Sequence, residues 1–597
     1  MNLIVILGLL ITLATGIPVL IQLLRHHPRG LIILFFAEMW ERFSYYGMRG
    51  ILIFYLTQHL LFDDKTAGAQ YGSYTSLVYL LPLVGGLLAD RWLGTRKAVA
   101  FGALLLVAGH MTMAVEGSPA KQTLSYAGQS YDVAIQGRME NRQVHVIVGG
   151  TPHAFSATAE GGLEVKDMAQ GGPLPAVMPK GSYELKNTVD PFGVNAFYLA
   201  VSLIIMGVGF LKPNISAIVG QLYPERDPRR DSGFTLYYYG INLGAFWASV
   251  LCGWLGTDFG WWAGFGLAGV GMAAGFIVFV LGKKHLEGKG EPPNPELLAK
   301  PIAGPITREW LIYLGGLLGV IPVWFLVQSN NLVGYALGIS ITLALAFIGW
   351  FLATQCDKIE RERMMLAMVL IFGSVVFFTL FEQAGTSLNL FAARNVDLMG
   401  IDAAQTQSFN AGFILIFAPL FAAMWTYLGA KGRMLNPTLT FGLGLLQVGL
   451  GFLVVVWTQG LAVEYKMPLY TLGLLYLFHT TGELFLSPVG LSQVTKLSVA
   501  RIVSFMMAVW FLASSIAQFV GGRIAGLMGT ETVGGQVLDP AAAFATSMDG
   551  FNKLGWTGIA CGVAFVGLSY LIRHWAHGAD GTGPSTMGKD PSATNSG

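Results

Sequence analysis

The sequence predicts an all-α chain that crosses a lipid bilayer many times, and three observations carry that reading. Of its 597 residues, 53% are apolar and only 12% are charged, about half the share in a typical soluble domain, ~25%. Mean hydropathy is +0.57. The apolar residues gather into runs of about 20, the length at which a helix spans a hydrocarbon core. The 77 glycines suit helices packed closely in lipid, where small residues let backbones approach. A net charge of +2 is too small to point to a nucleic-acid partner. Cys252, Cys356 and Cys561 lie in or beside apolar segments at no metal-ligand spacing and read as small buried residues.

The first run, residues 2–24, has no basic residue before it, whereas Arg25 and Arg29 follow it. A secretory signal carries its basic region first. The run therefore reads as an uncleaved helix with its N-terminus outside and Arg25–Arg29 in the cytoplasm. Further spans fall near 31–60, 70–92, 97–116, 192–216, 231–256, 260–282, 309–328 and 332–355. The rest fall near 362–393, 404–429, 436–458, 468–495, 501–528 and 551–573, about fifteen in all.

Loop charges test that path. Alternate loops carry Arg91/Arg96/Lys97, Arg226/Arg229/Arg230, Lys283/Lys284/Lys289, Lys358/Arg361/Arg363, Lys431/Arg433 and Lys496/Arg501. The loops between them hold Asp63/Asp64, Asp258, Ser329–Asn331, Asp397/Asp402, Glu464 and Asp539. This is the asymmetry of a chain with its basic loops inside, and one missed helix would invert it downstream. A multi-pass protein of a bacterial-type inner (plasma) membrane is expected.

Residues 117–190 do not belong in lipid. They are polar, rich in Gly and Pro, and contain alternating stretches at Tyr131–Gln136, Gln143–Val148 and Ser182–Lys186 that read as strands. A small β-rich extracytoplasmic insertion is expected. His145 and His153 within it lack a third ligand and read as surface histidines. The Gly/Ser/Thr-rich tail, 577–597, reads as disordered.

Charges inside spans are costly and need a reason. The densest group is Glu38-Met-Trp-Glu41-Arg42-Phe43-Ser-Tyr45-Tyr46-Gly47-Met-Arg49. At about 100° per residue, Glu38, Glu41, Arg42, Tyr45, Tyr46 and Arg49 fall in a sector of roughly 140°. Lipid cannot accept that face, so it lines a polar cavity. Lys212, Glu382 and Glu483 are isolated in other spans. Three cations, Arg42, Arg49 and Lys212, stand against four carboxylates, Glu38, Glu41, Glu382 and Glu483. A buried carboxylate without a partner favours its protonated form, which is what a proton-coupling site requires. Structural ion pairs that merely fix helix register are the bland alternative, and seven charges on four spans weigh against it. Pro213 and Pro488, each beside an intramembrane charge, read as bends that open and close a pathway.

These motifs resemble the proton-dependent oligopeptide transporter (POT/PTR) family of the major facilitator superfamily. Glu38-x-x-Glu41-Arg42-Phe43-x-Tyr45-Tyr46-Gly47 resembles the family's first-helix motif, and Gly85–Lys97 the superfamily's loop 2–3 motif. Tyr238-Tyr-Gly-Ile241-Asn242-Leu-Gly244 is similar to the fifth-helix signature, with Tyr237 where Phe is usual. Gly482-Glu483-Leu-Phe-Leu-Ser487-Pro488-Val-Gly490 matches the tenth-helix pattern. The resemblance implies a two-bundle fold: an N-terminal six-helix bundle over 30–116 and 191–285, and a C-terminal one over 358–576. A two-helix hairpin, 306–357, lies between them. The extra N-terminal helix, 1–29, and the insertion, 117–190, depart from the usual pattern.

Carried over by residue, the resemblance implies proton coupling by Glu38, Glu41, Arg42 and Glu382. It implies substrate binding by Arg42, Tyr45, Tyr46, Arg49, Lys212, Asn242, Asn410, Glu483 and Trp510. Gating would use an Arg49–Glu382 pair, a Lys212–Glu483 pair, Pro213 and Pro488. The implied activity is proton-coupled import of di- and tripeptides by a monomer, with protons as coupling ion and no other cofactor. Transport of nitrate or another small organic anion, and a non-transporting receptor using the insertion, stand as alternatives. No nucleophile elbow, metal-ligand motif or phosphate loop suggests an enzyme.

Overall fold

The computed structural model describes residues 3–158, 162–168, 172–224, 227–486 and 490–579. Helices dominate it. They begin with α1 (Leu3–His26), α2 (Arg29–Phe54), α3 (Asp64–Leu80), α4 (Pro82–Leu88) and α5 (Thr95–Met113). After the sheet come α6 (Pro191–Gln221), α7 (Arg229–Asp258), α8 (Trp261–Leu281) and the short α9 (Pro295–Ala299). Then follow α10 (Arg308–Leu318), α11 (Val320–Gln328), α12 (Asn330–Thr354), α13 (Lys358–Phe381) and α14 (Ser387–Asn395). The chain continues through α15 (Ser408–Ala430), α16 (Pro437–Trp457), α17 (Leu469–Leu486), α18 (Gly490–Leu497), α19 (Val503–Leu527) and α20 (Pro540–Leu571).

Helix starts follow local chemistry. Asp190-Pro191, Asn436-Pro437 and Asp539-Pro540 each place a capping side chain before a proline at the first helical position. The cap at Asp539, accepting from the Ala542 amide at 2.9 Å, starts α20 well ahead of the expected residue 551. The span expected at 70–92 is broken at Pro82, that at 309–328 at Gly319, and that at 362–393 at Glu382–Gly385.

Among the described residues, eleven helical stretches are long and apolar enough to cross a membrane. α2, α5, α7 and α17 complete the expected set as long helices made less apolar by polar residues. Three of them carry Glu38–Arg49, Asn242 and Glu483. α2, which carries the densest group of site residues, is thus among the helices with the weakest membrane signal.

In the packing, α2 lies on α7 and α8, α5 on α6, and α16 on α17 and α20. α3 runs along α19. There a Cβ on Gly522 would lie 2.5 Å from the Gly68 carbonyl oxygen and 2.6 Å from Gly72 Cα, so only glycine permits the approach. Ser76 and Ser515 hydroxyls meet at 2.7 Å in the same seam. α1 joins the bundle through Thr15, 2.8 Å from the Tyr239 hydroxyl, and Thr12, which accepts from Trp247 Nε1 at 3.0 Å.

The insertion folds as expected into strands, β1 (Lys121–Tyr126), β2 (Gln129–Gln136), β3 (Gln143–Val148), β4 (Thr151–Ala157), β5 (Leu163–Val165), β6 (Val177–Met178) and β7 (Tyr183–Thr188). They form one antiparallel sheet in the order β6-β5-β4-β3-β2-β1-β7. Its apolar face has a core of its own, with Leu124, Val146, Leu163 and Met178, and takes in Val533 from the short hairpin between α19 and α20. His145 and His153 lie on neighbouring strands. At the far end of the chain, His577 Nε2 lies 2.6 Å from Glu362, so the tail begins in ordered structure; 580–597 lie outside the described residues.

Candidate functional site

The charged face of α2 points into the bundle: Glu38 and Glu41 are each 1% exposed. Arg42 Nε donates to Glu38 Oε1 at 2.8 Å and lies 3.0 Å from Glu41 Oε2. One guanidinium cannot neutralise two carboxylates, so the trio carries an excess negative charge unless one acid holds a proton.

About two turns further along α2, Arg49 donates through Nη2 to Glu382 Oε2 and through Nε to the Tyr71 hydroxyl at 2.6 Å. Glu382 sits where α13 stops and a single 3₁₀ turn, Glu382–Gly385, begins. The break has local supports. Gln383 Nε2 donates to the Thr379 and Gly521 carbonyls, each at 3.1 Å, and its Oε1 accepts from Ser387 at 2.6 Å. A Cβ on Gly385 would lie 2.0 Å from the Tyr71 hydroxyl oxygen, so glycine there makes room for the phenol that Arg49 holds.

Beside this pair lies an interior cavity of about 150 Å³, smaller than the ~300–1,000 Å³ of most ligand pockets. Its walls include Tyr46, Arg49, Asn242, Glu382, Asn410 and Glu483, bringing together six sequence-predicted residues from five helical segments. Asn410 Nδ2 donates to Glu483 Oε2 at 3.2 Å and to Thr480 Oγ1 at 3.0 Å. Tyr45 does not line the cavity; it packs edge-on against Tyr46, with ring centroids 5.3 Å apart. Glu38, Glu41 and Arg42 lie along α2 beyond it.

Two expected residues lie apart from the cavity in this structure. Lys212 does not pair with Glu483 in this structure: its Nζ lies 3.8 Å from the centroid of the Tyr79 ring, and Tyr79 is a wall of the cavity. The charges acting on Lys212 are Arg42, Glu41, Glu38 and Glu382. With the Arg49–Glu382 pair closed, Glu483 is left to Asn410. Trp510 does not reach the cavity either; its ring packs against Gly490, near the end of α19 that follows Arg501. Pro213 lies within α6, which passes through it unbroken. Having no N–H, Pro213 leaves the Gly209 carbonyl without a helical donor, and Gly85 packs on that oxygen, where a Cβ would lie 2.0 Å away. Pro488 lies outside the described residues.

Several residues were missed. Tyr79, Tyr238, Tyr476 and His479 also line the cavity; His479 was detectable as a lone titratable residue in an apolar span. A second ion pair joins Asp64 at the start of α3 to Arg394 of α14. It is bidentate, at 2.5 and 2.8 Å, and Asp64 also accepts from the Thr530 amide at 2.9 Å.

A bundle of membrane-length helices with buried charges lining an interior cavity is the architecture expected of a transporter. The chain belongs to the POT family, whose model matches residues 96–538. An uncharacterized transporter of Bacillus subtilis (strain 168), YclF, is 33% identical over 515 residues, covering 84% of this chain and 88% of that protein. The dipeptide and tripeptide permease A of Erwinia pyrifoliae is 29% identical over 539 residues, covering 89% and 91%. A crystal structure of the peptide transporter POT in complex with sulfate superposes with a TM-score of 0.68 at 30% identity, covering 92% of this chain and 96% of that one.

Proposed function

We propose that this protein is a proton-coupled symporter that imports di- and tripeptides across the bacterial inner membrane. In this reading α2–α8 form one six-helix half and α13–α20 the other. The hairpin 306–357 links them, and the chain works as a monomer by rocking the halves about the cavity. The observation that carries the reading is Arg49 on one half closed upon Glu382 on the other, beside a cavity that also holds Asn242, Asn410 and Glu483.

The chemistry suits a dipeptide, a zwitterion with fixed ends and variable side chains. Arg49 offers a guanidinium to its carboxylate, and Glu483 a carboxylate to its ammonium. A proton on Glu382 removes the attraction to Arg49 and loosens the outer closure, so protonation and gating become one event. Glu38, Glu41 and Arg42 form the second place where a proton and a peptide carboxylate compete. Lys212, freed from Tyr79, would meet Glu483 when the inner side closes. The names of the relatives, peptide transporters and di- and tripeptide permeases, agree with this substrate class.

The test is uptake of labelled dialanine by proteoliposomes with and without an inward proton gradient. Accumulation that a protonophore abolishes supports peptide symport. No uptake by folded protein moves the reading to other peptides, then to small anions.

A further inference from the structure

Directly outside the Arg49–Glu382 closure lies a larger cavity of about 730 Å³. Its floor includes Phe54, five residues beyond Arg49 and about 7.5 Å further along the α2 axis, and Leu390 of α14. Its roof is extracytoplasmic: Met139, Glu140 and Arg142 between β2 and β3, and Gly535 in the hairpin between α19 and α20. The sheet is fastened over it from several sides. Arg138 donates to the Thr257 and Asp258 carbonyls at 3.1 Å each, Asn187 Nδ2 to the Leu61 carbonyl at 2.7 Å, and the Gly534 amide to Gln122 Oε1 at 2.8 Å.

Arg142 is the unusual group in this chamber. It is 7% exposed. Nε donates to the Gly534 carbonyl at 2.5 Å and Nη2 to the Gln58 carbonyl at 2.7 Å, and among the described residues no carboxylate pairs with it. Burial pushes its guanidinium down to about 10, so it remains a cation at neutral pH. Buried cations are normally paired, and a guanidinium has five donors, more than two carbonyls use. The other arginine on the wall, Arg394, is committed to Asp64. Around the same space stand the exposed acids Glu140, Asp397 and Glu464, with Lys466 beside them.

We propose that this chamber is a second, extracytoplasmic binding site, which takes a zwitterionic peptide from outside before the gate opens. Arg142 receives the peptide carboxylate, and Glu140, Asp397 and Glu464 face its ammonium. The proposal rests on the peptide reading above and gives the inserted sheet a role: it supplies the cation that completes the site. A peptide held here waits at the closure it must pass, which raises its local concentration at Arg49 when Glu382 releases.

The test uses full-length protein oriented in proteoliposomes, with dialanine transport measured separately from each face. R142Q removes one charge-assisted carboxylate contact, so the external KM should rise roughly tenfold. The cytoplasmic KM and the kcat should stay within about twofold, and R142K should recover part of the loss. E464Q, on an exposed loop, should raise the external KM about twofold to threefold. An external KM unchanged in R142Q, or shifted equally on both faces, overturns the site. Should R142Q fail to fold, an unchanged external KM in E464Q does so. A wild-type protein that carries no dialanine in either direction moves the same test to other di- and tripeptides, and one that carries none of them removes the peptide reading, and this proposal with it.

Discussion

Arg49 of α2 binds Glu382 at the end of α13 and Tyr71 of α3 at the same time, so one guanidinium ties three helical segments across the cavity. Both charges are largely buried, with side chains 6% and 11% exposed. Removing one partner of such a pair leaves a buried charge unmatched, a cost of about 3–5 kcal/mol. Glu382→Gln mimics the protonated acid permanently. It should abolish accumulation of peptide against a gradient while exchange of labelled for unlabelled peptide stays measurable, within about tenfold of wild type. Accumulation retained by E382Q in proteoliposomes would take Glu382 out of the coupling role.

The Asp64–Arg394 pair ties the start of α3 to α14 on the side that the proposed topology places outside. It is bidentate, and Asp64 has a further donor in the Thr530 amide. Arg394→Ala should therefore open the outer side more often, by about 3 kcal/mol or less of lost closure. A cysteine placed at Ser387, now buried, should react with an impermeant maleimide added outside at least several-fold faster in R394A. Equal labelling rates would make this pair an anchor of the sheet side only.

Most of the bundle could be read from apolar runs and loop charges, because lipid forces both on any spanning chain. The site was legible where burial makes a charge conspicuous: Glu38, Arg42, Arg49, Glu382 and Glu483 all interrupt apolar segments. Asp64 and Arg394 escaped because they sit at helix ends, where a charge looks like an ordinary loop residue, and their partnership spans 330 positions. Tyr71, Tyr79 and Tyr476 escaped because a tyrosine in an apolar run reads equally well as a lipid-facing anchor. Lys212 was found, but not its place against the Tyr79 ring, which a sequence pattern does not encode. Strand alternation revealed β2, β3 and β7, whereas the return of β7 to pair with β1 depends on pairings distant in sequence.

The α3–α19 seam is where glycine chemistry becomes testable. Gly522 has no room for a Cβ against the Gly68 carbonyl and Gly72 Cα, and backbone cannot swing aside as a long side chain can. Overpacking a close contact costs about 1–3 kcal/mol. Gly522→Val should push α3 and α19 apart and lower peptide uptake at least fivefold. The protein should remain folded in detergent, judged by a monodisperse elution profile. G522V with wild-type uptake would mean that the seam is not held closed during transport.

Asp402 lies outside the spans, just before α15. Burial first, then the nearby charges of Asp258 and Glu140, push its carboxyl up to about 7 from an ordinary 3.8. The folded protein therefore keeps a proton that the unfolded chain gives up above pH ~4. Stability falls as pH climbs from about 4 to about 7 and stays at the lower level beyond. Partial solvent contact limits the effect to the order of 1 kcal/mol. The three acids come from the sheet side, the end of α7 and the approach to α15, so the strain falls on the seating of the sheet against the bundle. The apparent Tm in detergent should be lower at pH ~7.5 than at pH ~5.5, and proteolysis within 117–190 faster. Asp402→Asn should raise the Tm at the higher pH and flatten this part of the profile. A D402N profile that overlays wild type would place the pH dependence on other groups.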